Sequence, residues 1–204
     1  MASPNLDTSD GLPKVEAASA KEILDQYDAS EAALGLDSEG VTPSAFLDSL
    51  FRASLFEDAI TFLAYALPKR EAVWWGLGCA RDATPSDAPP EQHEALTSVE
   101  SWLEAPDDER RREAFTFAEK ATYGAPAGCI ALAAFFSEGS LAPADCPPVP
   151  VGEEFCARTV AAAVLLSSLQ VAPDESTALA KDYAERGVET ARCVAPWDEG
   201  QAPA

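Results

Sequence analysis

The stretch ALPKREAVWWGLGCARD, from Ala66 to Asp82, limits what this chain can fold into more than any other. Pro68 opens it, a basic pair follows, and two adjacent tryptophans sit among small and apolar residues, so the spacing predicts one helix from Pro68 to about Ala83. At about 100° per residue, Val73, Leu77 and Ala80 share one face with Trp74 flanking it, while Trp75, Gly78 and Cys79 lie around the opposite side. Apolar residues cover most of the cylinder, and a helix of that kind is packed on more than one side. Gly76 and Gly78 each cost about 1 kcal/mol in a helix interior relative to alanine, a cost that close approach of a neighbouring backbone offsets. The helix is therefore expected at the centre of a helical protein.

The remaining pattern agrees. Ser19 caps a short helix carrying Ile23, Leu24 and Tyr27, and Thr42 before Pro43 opens another with Phe46, Leu47, Leu50 and Phe51 on one face. A helix from about Leu55 stops at Pro68, and one from about Pro90 to near Pro106 carries Ala95, Leu96, Val99, Trp102 and Leu103. Asp107 and Asp108 suit the positive end of the next helix dipole, and Ile130 to Phe136 form an apolar helix closed by Gly139. Prolines 143, 147, 148 and 150 impose a loop from Leu141 to Gly152, before two last helices over 153–170 and 174 to about 194. No segment alternates apolar and polar residues over strand length. The fold class is all-α: a single domain of roughly eight or nine antiparallel helices, for which a solenoid-like stack is one available form, although no regular repeat marks it. Residues 1–17 read as a disordered acidic tail, 18–195 as the helical domain and 196–204 as a flexible C-terminal tail.

Charge bounds the partners. Thirty-five acidic residues against 14 basic ones in a chain of 204 give a net charge of -21, which repels nucleic acid and anionic membrane and favours cationic partners or plain solubility. The start of the chain lacks the basic and apolar regions of a secretory signal, and the longest uncharged apolar stretch, Tyr123 to Ser137, is too short to span a bilayer, so a cytoplasmic protein is expected. The five cysteines, Cys79, Cys129, Cys146, Cys156 and Cys193, form no CxxC pair, and four fall in predicted helices, as buried reduced thiols would.

No motif for catalysis, metal or cofactor binding stands out. His93 is the sole histidine and sits at a polar helix start, which excludes a helical HExxH zinc site. The arginines 110–112, ringed by Asp107, Asp108, Glu109 and Glu113, read as a solvated helix face. Lys69 and Arg70 oppose the macrodipole at a helix start and need carboxylate partners or a ligand, with an intramolecular ion pair as the expectation. The binding candidates are Lys69, Arg70, Trp74, Trp75 and Arg81; for the two tryptophans, core packing and a partner-binding surface are both open readings, core packing being the stronger.

From Ala18 to Arg81 the chain resembles an uncharacterised bacterial family, most specifically through the run FEDAITFLAYALPKREAVWW. The resemblance implies a helical protein of Gram-negative bacteria, of a kind sometimes encoded beside type VI secretion components, and carries over no catalytic residue. The resulting expectation is a non-enzymatic interaction protein, an adaptor or accessory factor of such a system. The alternative is an acidic immunity or inhibitor protein that neutralises a basic toxin. A third class, an enzyme using carboxylates with Arg70 or Arg81, requires a deep pocket beside the tryptophan helix.

Overall fold

A computed structural model describes residues 11–143, 145–193 and 195–197. Among these residues the secondary structure is helical: α1 Ala20–Leu24, α2 Glu31–Leu34, α3 Pro43–Arg52, α4 Phe56–Ala66, α5 Lys69–Asp82, α6 Pro90–Glu104, α7 Asp108–Ala121, α8 Pro126–Phe135, α9 Glu153–Ser168 and α10 Pro173–Arg192. The starts follow from caps and prolines. Thr42 Oγ1 accepts the Ala45 amide at 3.3 Å and Asp107 Oδ1 accepts that of Arg110 at 2.8 Å, while Pro43, Pro90, Pro126 and Pro173 occupy first turns where no amide proton is missed. The four-residue helix α2 was not expected; Ser30 caps it, its Oγ accepting from the Ala33 amide at 3.1 Å.

The helices form a single compact domain. α6, α7 and α8 pack on one another in sequence, α10 returns to lie on α4, and α9 touches α4, α5, α8 and α10. A solenoid needs each unit to meet only its sequence neighbours; here α9 and α5 join both halves, so the antiparallel stack closes into a bundle. Tight spacing comes from small residues. A Cβ added at Gly76 would lie 2.5 Å from Ile130 Cδ1, and one at Gly187 would lie 2.9 Å from both Leu63 Cδ1 and the Trp75 ring. The apolar α8 is buried along nearly its whole surface, with Gly128 against the Thr122 carbonyl.

Two expectations are corrected. The segment 11–17, read as part of a disordered tail, is docked: Leu12 is buried, the Lys14 amide donates to Ala191 O at 3.2 Å, and Lys14 Nζ pairs with the buried Glu71 carboxylate at 3.1 Å. Residues 1–10 of that tail lie outside the described residues, as do 198–204 of the C-terminal one. The arginine run is not a solvated face. Arg111 is fully buried; its guanidinium donates to Phe135 O at 2.6 Å, Ser140 O at 3.0 Å and Asp108 Oδ1 at 3.0 Å, and stacks 4.6 Å from the Phe135 ring centroid. Arg112 reaches Ala142 O at 2.9 Å and Asp108 Oδ2 at 2.7 Å. Together they fasten the turn after α8, where Gly139, at φ 76°, lets the backbone pass directly over the Arg111 guanidinium. The hydrogen bonds from Arg112 and Arg111 hold the Asp108 carboxyl below its ordinary pKa.

Candidate groove between α5 and α6

Trp74, Gly78 and Arg81 are spaced i, i+4, i+7 on α5 and so form one stripe. It faces Glu100, Leu103 and Glu104 of α6 across a groove of about 410 Å³, whose remaining wall is Leu77, Pro196 and Trp197. At one end the Trp74 and Trp197 rings meet edge to face, 5.6 Å between centroids and 76° between planes. Arg70 stacks 4.2 Å from the Trp197 centroid, and its Nε donates to Leu103 O at 3.1 Å. That carbonyl belongs to the last turn of α6, where the macrodipole is negative and a cation is favoured. At the other end Arg81 pairs with Glu100, both half exposed, a pair worth little in stability. Glu104 is exposed on the rim and makes no ion pair among the described residues.

The adjacent tryptophans divide between core and groove. Trp75 is buried, and its Nε1 donates to Tyr183 O at 2.9 Å, so core packing describes it well. Trp74 is half-buried and lines the groove. The glycines divide too. Gly76 meets Ile130 and Val160, as close packing requires, but a Cβ at Gly78 would have no described residue within 4 Å, and the residue is exposed on the groove floor. The expectation that a neighbouring backbone offsets both glycines is therefore corrected for Gly78.

The expected carboxylate partners for Lys69 and Arg70 are absent among the described residues. Arg70 is satisfied by a carbonyl and an indole ring. Lys69 is exposed at the mouth of a separate cavity of about 330 Å³ with Tyr65, Glu153 and Cys156, so it stands apart from the other candidates. Trp74 and Arg81 thus line one groove and Arg70 backs its Trp197 wall, while Lys69 and Trp75 do not join it. Sequence reasoning missed the α6 side, Glu100, Leu103 and Glu104, although their spacing marks one face, and it assigned Trp197 to a loose tail.

The thiols in the core carry no obvious chemistry. Burial pushes Cys129 up to about 11 and Cys156 up to about 12, the latter despite the opposing charge of Lys69, and lifts Cys79 further. A thiol held in its protonated form is a poor nucleophile. Cys146, in the expected loop, is exposed, and of the four thiols expected to be helical and buried Cys79, Cys129 and Cys156 are, whereas Cys193 caps the end of α10 and is exposed. His93 is exposed on α6, away from the groove lining. Among the described residues no cluster of three His, Cys, Asp or Glu side chains is placed to hold a metal ion, and no helix is long and apolar enough to cross a membrane.

No curated protein and no solved structure matches the chain. The stretch from α3 to the end of α10 does match a family. Residues 46–191, and with them every helix that builds the groove, fit a family of unknown function, DUF6931, and the chain belongs to that family.

Proposed function

We propose that this protein is a non-enzymatic protein-binding module that receives a segment of a partner in the α5–α6 groove, acting as an adaptor or accessory protein of a bacterial, type VI-like secretion system. The observation that carries the reading is a groove lined by Trp74, Arg81 and apolar side chains and rimmed by Glu100 and Glu104, with Arg70 stacked on its Trp197 wall. Half-buried aromatics beside arginine have the composition of interface hot spots. A net charge of -21 favours a cationic partner and speeds its encounter. The secretion context rests on the resemblance of the ALPKREAVWW region alone, and a cytoplasmic site of action suits the chain's free cysteines.

The test is comparative capture from a host that carries the gene. Wild-type protein is expected to retain a partner encoded near it, and Trp74→Ala and Glu104→Lys, folded as judged by their thermal melts, to lose it. Identical capture by all three would rule out the groove. The high negative charge also favours a second reading, an acidic inhibitor of a basic toxin. In that case co-expression relieves the toxicity of a neighbouring gene product, and the complex weakens steeply with salt.

A further inference from the structure

The groove is partly occupied by the chain itself. α10 ends at Arg192, Cys193 follows with an extended backbone, and the last described residues are buried Ala195, exposed Pro196 and half-buried Trp197. Trp197 rests in a socket made of Arg70 and Trp74. Both groups are positioned without it, since Arg70 is tied to Leu103 O and Trp74 is fixed on α5. Past Trp197, toward Arg81 and Glu100, no described residue comes within 4 Å of a Cβ placed on Gly78. A helical glycine costs about 1 kcal/mol against alanine, and at Gly78 no contact among the described residues accounts for it. A segment lying against the bare helix backbone would.

We propose that Pro196–Trp197 is a tethered strap that stands in for a partner, and that the groove recognises an extended, tryptophan-bearing segment of another protein, which takes the Arg70–Trp74 socket as Trp197 leaves it. The proposal rests on the protein-binding reading of the groove. Tryptophan fits because the socket offers a guanidinium to the face of the ring and an indole edge beside it, two interactions that an aliphatic or cationic side chain would forfeit. The tether sets the threshold. A side chain on a short link competes at an effective concentration of about millimolar, so an incoming segment prevails only by adding contacts along Gly78.

The experiment titrates the full-length chain and its Trp197→Ala variant with acetyl-prolyl-tryptophanamide, followed by two-dimensional amide NMR, with acetyl-prolyl-alaninamide as control. The substitution lies outside the helices and removes a contact that a ten-fold change values at about 1.4 kcal/mol, so the variant should still melt cooperatively, only a few degrees below the wild type. Trp197→Ala should bind the tryptophan peptide saturably, about ten-fold more tightly than wild type, with shifts at Trp74, Gly78 and Leu103, and the alanine peptide should not bind. Equal affinity for both proteins would overturn the strap. No binding to Trp197→Ala, or shifts outside the groove, would overturn tryptophan as the occupant, and the comparative capture experiment would then judge the groove independently.

Discussion

Neighbouring residues here differ in role because a helix turns by about 100° at each step. Trp75 points into the bundle and Trp74 into the groove, and their substitutions should separate accordingly. Trp75→Phe removes the indole hydrogen bond to Tyr183 O and leaves a void where the larger ring packed, and should cost about 1–3 kcal/mol in urea unfolding, whereas Trp74→Phe should cost less than about 1 kcal/mol. Glycines give a contrast of sign. Gly78→Ala adds a methyl group where no described residue lies within 4 Å and should raise stability by up to about 1 kcal/mol. Gly128→Ala sets a methyl group 2.1 Å from the Thr122 carbonyl oxygen, an atom of the backbone that cannot swing aside, and should lower stability by about 1–3 kcal/mol or more. Thermal melts of the two variants read both signs.

Helix limits were legible because proline and hydroxyl caps act within three or four residues, as at Thr42–Pro43 and Asp107. What joins one element to another was not. The Arg111 partners Phe135 O and Ser140 O lie 24 and 29 residues along the chain, and a backbone carbonyl has no signature in a sequence. The strap was missed for the same reason, since Trp197 meets Arg70 only once α10 has packed on α4 and α5. The short helix α2 is set by one serine cap and falls below the length at which periodicity can be read. Arg111→Leu should strip the buried Phe135 carbonyl of its guanidinium donor and leave Ser140 O with only the longer bond from Arg112 at 3.4 Å, and the amides of Leu141 and Val149, which hold that loop together, should exchange faster with deuterium. Acid should loosen the same fastening. Because the Asp108 pKa is lowered in the folded state, its contribution is present above the ordinary carboxylate pKa and is lost as the pH falls through the folded value.

At the level of the whole molecule, titration of the core limits stability on the alkaline side. Cys129 and Cys156 rise from 9.0 to about 11 and about 12, and Tyr183 from 10.0 to about 12, chiefly through burial. The folded state holds these protons more tightly than the unfolded chain, so the stabilisation is complete below pH 9 and disappears as the pH climbs toward 12. Melting temperatures recorded from pH 8 upward should fall along that interval, and a thiol reagent should label Cys146 and Cys193 at once but Cys79, Cys129 and Cys156 only on unfolding. The chain also closes on itself. The Lys14 amide is bonded to Ala191 O and the Lys14 ammonium to Glu71, one residue from the Arg70 that stacks on Trp197, so the first and last described segments meet beside the start of α5. A circularly permuted protein, in which a glycine-serine bridge joins residue 197 to residue 11 and new ends open in the exposed 145–149 loop, should therefore keep its helix pairings and melt cooperatively.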